Sequence, residues 1–399
     1  MHSQSSLAPS AARPLLFLAS LVLIATTLRA PTASVGAVIQ ILEQALTLSP
    51  AQAGFLTTLP LLAFGILAPI AGRVSRRYGI ERTMFLSLAV VAIGVLIRSS
   101  GAVLSLYVGT GLVGVGIAVA NVLFPGMVKR DFPNKVPTIT GICGVFIGLS
   151  AAMASAAAIP ISEHWGWQGA LGVTILFPMS AVLLWMARGE HGAQPISTTS
   201  QAAASINVWQ SPLAWQVTLF MTINSVLFYV LITWLPTLLT DTGMSAAAAG
   251  SLLGFMQLAA IVPGLLLGPL VGRMKDQRAI TVMVSLLQVI ALTGLLIHPA
   301  ASPVWVFLFG MCSSCAVLLS FMFMGLRTGG PTEAASLSGM AQCVNFLCSA
   351  AGPTVAGWVH GQSNDWSPIL ETGIGLAIVM GVFGFYAGRD RTLGDGYLG

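Results

Sequence analysis

The chain has 399 residues, of which 56% are hydrophobic and only 7% are charged. Soluble globular domains carry about 25% charged residues, so the composition excludes that class and indicates a polytopic membrane protein. A formal net charge of +5 would suit a nucleic-acid binder, but the positive residues must first be placed relative to a membrane.

Apolar windows of about 20 residues, each long enough to cross roughly 30 Å of hydrocarbon, predict twelve transmembrane helices. In the first half they are residues 15–42, 50–71, 83–99, 102–127, 137–160 and 169–187. In the second half they are residues 213–238, 246–271, 279–297, 303–325, 334–357 and 367–387. Between them lies a segment rich in Gln, Ser, Thr and Ala, which is typical of a linker. The sequence predicts an N-terminal six-helix bundle over 1–187, a cytoplasmic linker over 188–211 and a C-terminal six-helix bundle over 212–399.

Basic residues fall almost entirely on one side of this arrangement. With the N-terminus inside, 15 of the 17 Lys and Arg residues lie in cytoplasmic segments. The exceptions are Arg98, which is placed outside, and Arg29, which lies within the first span. This positive-inside bias accounts for the net charge without a nucleic-acid partner, and it predicts that both termini are cytoplasmic.

Arg29 is the residue on which the functional hypothesis depends. It follows Leu15 by 14 residues, or about 21 Å of helix, which places it near mid-depth. An arginine at that depth costs at least about 2.5–3.5 kcal/mol, so we expect it to face a cavity. Pro31 cannot donate to the Thr27 carbonyl, which predicts a kink beside Arg29. Its planar guanidinium suits a carboxylate, a nitro group or another small acceptor; the alternative is a structural cation satisfied by neighbouring carbonyls.

Further polar side chains lie deep in apolar sequence and are candidate substrate contacts. They are Thr26, on the helix face of Arg29, and Asn121, Asn224, Tyr229, Gln257, Gln342 and Asn345. The 4, 3, 4, 3 spacing of Ser338, Gln342, Asn345, Ser349 and Gly352 predicts a polar stripe that faces protein or water. For each amide the alternative is a hydrogen bond between helices, worth about 0.6–2 kcal/mol.

No catalytic, cofactor-binding or metal-ligating constellation is recognisable in the sequence. We therefore expect a protein that is not an enzyme and has no cofactor or metal. A membrane-embedded enzyme should bring His, Asp or Glu residues together near one membrane face, and a membrane sensor should carry a soluble domain. Neither pattern is found, so these alternatives are disfavoured.

The two halves repeat one motif, at the ends of the second and eighth predicted spans. The shared residues are Pro69, Gly72 and Arg73 in the first half and Pro269, Gly272 and Arg273 in the second. Such internal repetition is typical of parallel-repeat transporters, whose substrate site lies between the halves near the bilayer midplane.

Twelve spans in two halves, with a basic loop after spans two and eight, resemble the major facilitator superfamily. Its loop signature G-x-x-x-D-R-x-G appears as Gly72-Arg73-Val74-Ser75-Arg76-Arg77-Tyr78-Gly79, with Arg76 where the family has an acid. The second copy, Gly272-Arg273-Met274-Lys275-Asp276, keeps an acid. The resemblance implies a conformational loop motif made of Gly72, Arg73, Arg77, Gly79, Gly272, Arg273 and Asp276. Whether Asp276 or Glu81 replaces the missing acid stays open.

A closer resemblance extends over almost the whole chain. The runs that carry it are Ala25-Thr26-Thr27-Leu28-Arg29, Leu56-Thr57-Thr58-Leu59-Pro60-Leu61-Leu62-Ala63-Phe64, Lys129-Arg130-Asp131-Phe132-Pro133, Ser211-Pro212-Leu213-Ala214-Trp215-Gln216-Val217 and Leu337-Ser338-Gly339-Met340-Ala341-Gln342. They are similar to the cyanate and 2-nitroimidazole transporter family. The nearer, 2-nitroimidazole branch implies efflux of a small planar nitro-heterocycle by alternating access, and the cyanate branch implies a permease for a small anion.

The same resemblance sets the expected surroundings of the chain. It implies a monomer in a bacterial-type cytoplasmic (inner) membrane, with a small-molecule substrate and the lipid bilayer as its partners. It also implies that helices 1, 4, 7 and 10 line a central cavity and that helices 2, 5, 8 and 11 flank it, so that the candidate polar residues can converge on Arg29.

Overall fold

The computed structural model describes residues 12–48, 50–187 and 207–394. Over these residues the fold is all-α, with short 3₁₀ turns and no β-strand, which confirms the predicted class. The helices are α1 (Ala12–Thr27), α2 (Ala30–Ala37), α3 (Ile39–Leu46), α4 (Pro50–Tyr78), α5 (Ile80–Arg98), α6 (Val103–Asp131), α7 (Val136–Gly172), α8 (Leu176–Ala187), α9 (Pro212–Asp241), α10 (Ala246–Leu258), α11 (Ile261–Gly272), α12 (Arg278–Ile297), α13 (Ser302–Leu326), α14 (Pro331–Ser363) and α15 (Ser367–Ala387).

Several of these helices, alone or joined to a neighbour, are long and apolar enough to cross a bilayer. Within the described ranges nine pass that test, or up to ten if the segments Thr58–Ala68 and Ile70–Tyr78, bent by 56°, form one span. One of the nine, Val136–Met186, is 51 residues long and leaves helical geometry at Trp165 and Gly166, between two predicted spans. The count of twelve stays a prediction. Of the linker predicted over 188–211, residues 188–206 lie outside the described residues. Val208–Gln210 forms a short turn.

The first predicted span, 15–42, is broken into α1, α2 and α3. Arg29 lies between α1 and α2 with φ −127° and ψ −38°, and Pro31 lies in the first turn of α2. The prediction of a kink beside Arg29 is confirmed, because proline fits a first helical turn but not a helix interior. The break also interrupts the helical register from which Thr26 was expected to share a face with Arg29, so that expectation loses its basis.

The loop motif of the first half lies inside a helix instead of at its end. Gly72 and Arg73 belong to α4, which continues to Tyr78, whereas Gly272 ends α11 and Arg273 caps it. At one end of the bundle α4 and α11 finish and α5 and α12 begin. We call this end the basic end and the opposite end the distal end. Arg76, Arg130 and Arg389 all lie at the basic end.

The two halves of the chain pack closely at the basic end. A Cβ on Gly126 of α6 would lie 2.7 Å from the Pro331 carbonyl oxygen. A Cβ on Gly339 of α14 would lie 2.9 Å from the Ala68 carbonyl oxygen. Helices α7 and α11 approach just as closely, because a Cβ on Gly141 would lie 3.1 Å from the Gly268 Cα. Small residues are therefore required where the halves meet.

The same helices separate towards the distal end. Gly148 lies seven residues beyond Gly141 on α7 and so shares its face, yet a Cβ there would meet no atom within 4 Å. The same is true of Gly250 and Gly254 on α10, and of Gly36 on α2. The halves are thus closely packed at the basic end and looser towards the distal end, and we interpret the space between them as a cleft that opens distally.

Candidate functional site

Arg29 presents an exposed side chain at the break between α1 and α2. Its backbone carbonyl accepts hydrogen bonds from the amides of Thr32 (3.2 Å) and Ala33 (3.0 Å) and from the Thr32 hydroxyl (2.9 Å). Its guanidinium forms no hydrogen bond or ion pair with any residue that the structure describes. The backbone of Arg29 is therefore fixed by α2, while its donors stay available to a ligand.

The turn before the break is tied to a neighbouring helix. Thr26 is buried and its hydroxyl donates to the Leu23 carbonyl (2.8 Å), while its own carbonyl accepts from the Ser150 hydroxyl of α7 (3.2 Å). In this geometry the Thr26 hydroxyl is engaged within α1. Its predicted contact with substrate stays a prediction.

The polar stripe of α14 faces protein, as predicted. Ser338, Gln342, Asn345 and Ser349 are all buried, on a helix that packs against α4, α6 and α9. The Gln342 amide donates to the Ser338 hydroxyl (3.4 Å), but Asn345 Oδ1 and Ser349 Oγ have no partner among the described residues. A buried polar atom without a partner costs about 1–3 kcal/mol, so these two atoms are candidates for a ligand contact.

Asn224 lies at the centre of a hydrogen-bond network between three helices. It is fully buried on α9, its Nδ2 donates to the Ser313 carbonyl of α13 (3.2 Å), and its Oδ1 accepts from Gln288 Nε2 of α12 (2.9 Å). A contact between Asn224 and a substrate would require these bonds to break. Its role in binding stays a prediction, and the geometry adds a structural role.

Replacing Asn224 with alanine is expected to lower the free energy of unfolding by about 1–2 kcal/mol, because Gln288 and Ser313 each lose a buried partner. The measurement is the thermal midpoint of the purified protein. Asn121→Ala is the matched control, since Asn121 is half-buried and makes no side-chain hydrogen bond in the described part of the chain. Equal midpoints for the two variants would contradict the structural role.

The other predicted contacts are distributed over several helices. Asn121 and Tyr229 are half-buried on α6 and α9, and Gln257 is exposed in the last turn of α10, just before its break from α11. No hydrogen bond joins any of them to Arg29 within the described ranges. Their convergence on Arg29 stays a prediction.

At the basic end, Arg76 carries a direct contact between the halves. Its Nη1 donates to the Ser336 hydroxyl of α14 (2.9 Å), and a Cβ on Gly72, one turn earlier, would lie 3.9 Å from Ala335 and Ser336. Gly79 follows with φ +86°, a conformation that favours glycine and allows the turn into α5. Arg73 and Arg77 are exposed.

The structure answers whether Asp276 or Glu81 replaces the missing acid between the halves. Asp276 Oδ2 pairs with Arg278 Nη2 (2.5 Å) and Glu81 with Arg130 (3.0 Å), each within its own half. The side-chain and backbone hydrogen bonds from Arg278 hold the pKa of Asp276 below its ordinary value. Neither acid bridges the halves in this structure, whereas Arg76 contacts the Ser336 hydroxyl across them.

The sequence places Arg98 at the outer end of the predicted span 83–99, and that side stays a prediction; the structure adds that the side chain is fully buried within the protein. Arg98 ends α5 and donates to groups on α2 and α7, including the Pro31 carbonyl (2.7 Å). The available signal was its position within the predicted span 83–99, and its burial depends on contacts with two distant helices.

Comparisons with known proteins agree over nearly the whole chain. The sequence model of the Major Facilitator Superfamily matches residues 15–353. The chain is 42% identical over 381 residues to the 2-nitroimidazole transporter of Escherichia coli K12, which covers 95% of this chain and 97% of the relative. It is 28% identical over 373 residues to the cyanate transport protein CynX of the same organism, which covers 90% and 94%.

Solved structures show the same fold. The proton:xylose symporter XylE bound to 6-bromo-6-deoxy-D-glucose superposes with a TM-score of 0.77 at 12% identity, which covers 96% of this chain and 98% of the other. FucP in the outward conformation superposes with a TM-score of 0.72 at 14% identity, which covers 93% and 98%. At such identities these two likenesses show the fold alone.

Proposed function

The chain belongs to the major facilitator superfamily, and from that premise we propose that it moves a small anionic or nitro-heterocyclic solute, with Arg29 as the anchor of the substrate. It is a multi-pass membrane protein, and its family is one of transporters, which supports a non-enzyme role. The observation that carries the proposal is the exposed Arg29 guanidinium, which has no protein partner in the described structure, at a helix break near the middle of the first span.

An arginine at membrane depth is stable only where water, protein or ligand satisfies it. The lack of protein partners in the described structure supports a position of Arg29 facing the water of the cleft, where a planar acceptor can dock on the guanidinium fork. A hydrogen bond to a charged group contributes about 1.5–3 kcal/mol, or roughly 10- to 150-fold in affinity. A nitro group and a carboxylate both present two oxygens to such a fork.

Transport by alternating access requires the cleft to open at each end in turn. The close packing at Gly126 and Gly339, set against the open space around Gly148 and Gly254, supports this: it corresponds to one state, closed at the basic end. The positive-inside bias supports a cytoplasmic basic end with both termini inside. Two six-helix bundles, divided near residues 187 and 212, would rock about the central site as a monomer in a bacterial-type inner membrane.

The direction and the nitro-heterocyclic substrate rest on the likeness to the 2-nitroimidazole transporter, which supports efflux of a compound of that kind. A permease for cyanate or another small organic anion is the second candidate. The observation that favours it is the cationic side chain of Arg29, together with the 28% identity to CynX, because a full positive charge suits an anion best.

The test is uptake and efflux in cells with and without the chain, using 2-nitroimidazole, cyanate and a panel of small carboxylates. We expect the chain to change the accumulation of at least one of these solutes severalfold. Preference for 2-nitroimidazole supports the first candidate, and preference for cyanate or carboxylates the second. Unchanged accumulation of every solute, with the chain confirmed in the membrane, would refute the proposed substrate class.

A further inference from the structure

We infer that Arg98 is a positioning residue, whose hydrogen bonds to α2 hold the helix break around Arg29 in its binding geometry. The inference rests on the proposed role of Arg29 as substrate anchor. It assigns a task to a buried cation that neither the loop motif nor the polar stripe of α14 uses.

The Arg98 guanidinium connects two parts of the first half. Its Nη1 donates to the Pro31 carbonyl (2.7 Å) and its Nη2 to the Ser34 hydroxyl (3.4 Å), both on α2. The same Nη2 donates to the Leu171 carbonyl (3.3 Å) and the Thr174 hydroxyl (2.8 Å), at the end of α7 and in the turn after it. The planar guanidinium has several donors and can bond to α2 and to the end of α7 at once, whereas a lysine ammonium is a compact point charge.

Helix α2 needs such an external support. It has eight residues, and isolated helices shorter than about 12–15 residues are marginal on their own. Arg29 is the N-cap of α2, so the first residues of α2 set the direction of Arg29. Pro31 lies only two residues after Arg29. The hydrogen bond from Arg98 to the Pro31 carbonyl therefore fixes the backbone from which Arg29 extends.

The position of Arg98 is itself fixed by close packing. A Cβ on Gly109 of α6 would clash with the Arg98 amide nitrogen, so α6 covers the end of α5 without a gap. The side chain is 0% exposed, and its Nε has no partner among the described residues. No acidic residue of the described chain pairs with it. Burying a cation on neutral partners alone is costly, which is consistent with a role beyond packing.

The second half offers a matched control in Arg327. It is 2% exposed at the end of α13 and donates to the carbonyls of Ala387 (2.9 Å) and Gly388 (3.1 Å) and to the Gln277 side chain. Its burial and its bonds to carbonyls resemble those of Arg98, but it lies at the basic end and contacts no part of α1 or α2. Substitution of Arg327 reports the general effect of losing a buried guanidinium.

The first arm of the test measures geometry without any substrate. A spin label is attached to Arg29→Cys in a protein whose five native cysteines are replaced by alanine. Arg98→Lys should increase the mobility of the label in its electron paramagnetic resonance spectrum, and Arg327→Lys should leave the spectrum unchanged. An unchanged spectrum in Arg98→Lys would overturn the inference.

The second arm measures transport kinetics in proteoliposomes with 2-nitroimidazole and cyanate as probes. Arg98→Lys should raise KM about tenfold while changing Vmax less, whereas Arg327→Lys should leave KM unchanged. In an Arg29→Ala background, Arg98→Lys should raise KM no further, because it acts through Arg29. An equal rise in both backgrounds would overturn the inference. If Arg29→Ala itself left KM unchanged, the proposed anchor would fail, while the spin-label arm would still decide the positioning role.

Discussion

Replacing Arg29 with alanine is expected to weaken the apparent affinity for the transported solute by about 10- to 100-fold, the value of one charge-assisted hydrogen bond. The reason is that Arg29 is the exposed cation at the helix break, and its guanidinium has no partner among the described residues. The measurement is KM for 2-nitroimidazole and for cyanate in proteoliposomes.

Arg29→Lys separates charge from geometry. Lysine keeps the positive charge but loses the planar fork, so we expect it to retain cyanate transport better than 2-nitroimidazole transport. Arg391→Ala serves as the control, because Arg391 is exposed beyond α15, at the basic end. Transport that is equally efficient in wild type and Arg29→Ala would contradict the anchor, and equal loss of both solutes in Arg29→Lys would favour geometry over charge.

Gly126→Val is expected to hold the cleft open at the basic end and to reduce transport at least tenfold. A Cβ at this position would lie 2.7 Å from the Pro331 carbonyl oxygen and 3.4 Å from the Ala335 Cβ, so a larger side chain separates α6 from α14. Overpacking costs about 1–3 kcal/mol, which shifts a two-state equilibrium by about 5- to 150-fold.

The shift can be followed through Ser336, which bonds to Arg76 where the halves meet. In a protein without native cysteines, Ser336→Cys should react with a membrane-impermeant maleimide from the basic side several times faster when Gly126 is valine. Gly375→Val is the control, since a Cβ at Gly375 of α15 meets no atom within 4 Å. Unchanged reactivity with full transport in Gly126→Val would show that this contact does not close the cleft.

Features that depend on local sequence were predictable. The helix class follows from apolar runs of sufficient length, and the break beside Arg29 from Pro31. The burial of the α14 stripe follows from the 4, 3, 4, 3 spacing of its polar residues, because a polar face cannot contact lipid. Each of these features is set by residues within a few turns of one another.

Features that depend on distant segments were not predictable. Arg98 lies at the end of an apolar run and is buried by α2, by α6 and by the end of α7 with the turn after it; its hydrogen-bond partners are 64 to 76 residues away in sequence. The bond between Arg76 and Ser336 spans 260 residues. The hydrogen bonds that join Asn224 to Gln288 and to the Ser313 carbonyl also depend on helices whose packing the sequence does not specify.

The most direct test of the account is chemical replacement of the charge at position 29. In a protein without native cysteines, Arg29→Cys is treated from the distal side either with a cationic aminoethyl methanethiosulfonate or with its neutral methyl analogue. Because the cleft is open at that end and Arg29 acts through its charge, we predict that both reagents react and that only the cationic one restores transport. Equal restoration by the neutral reagent, or no reaction from the distal side, would contradict the account.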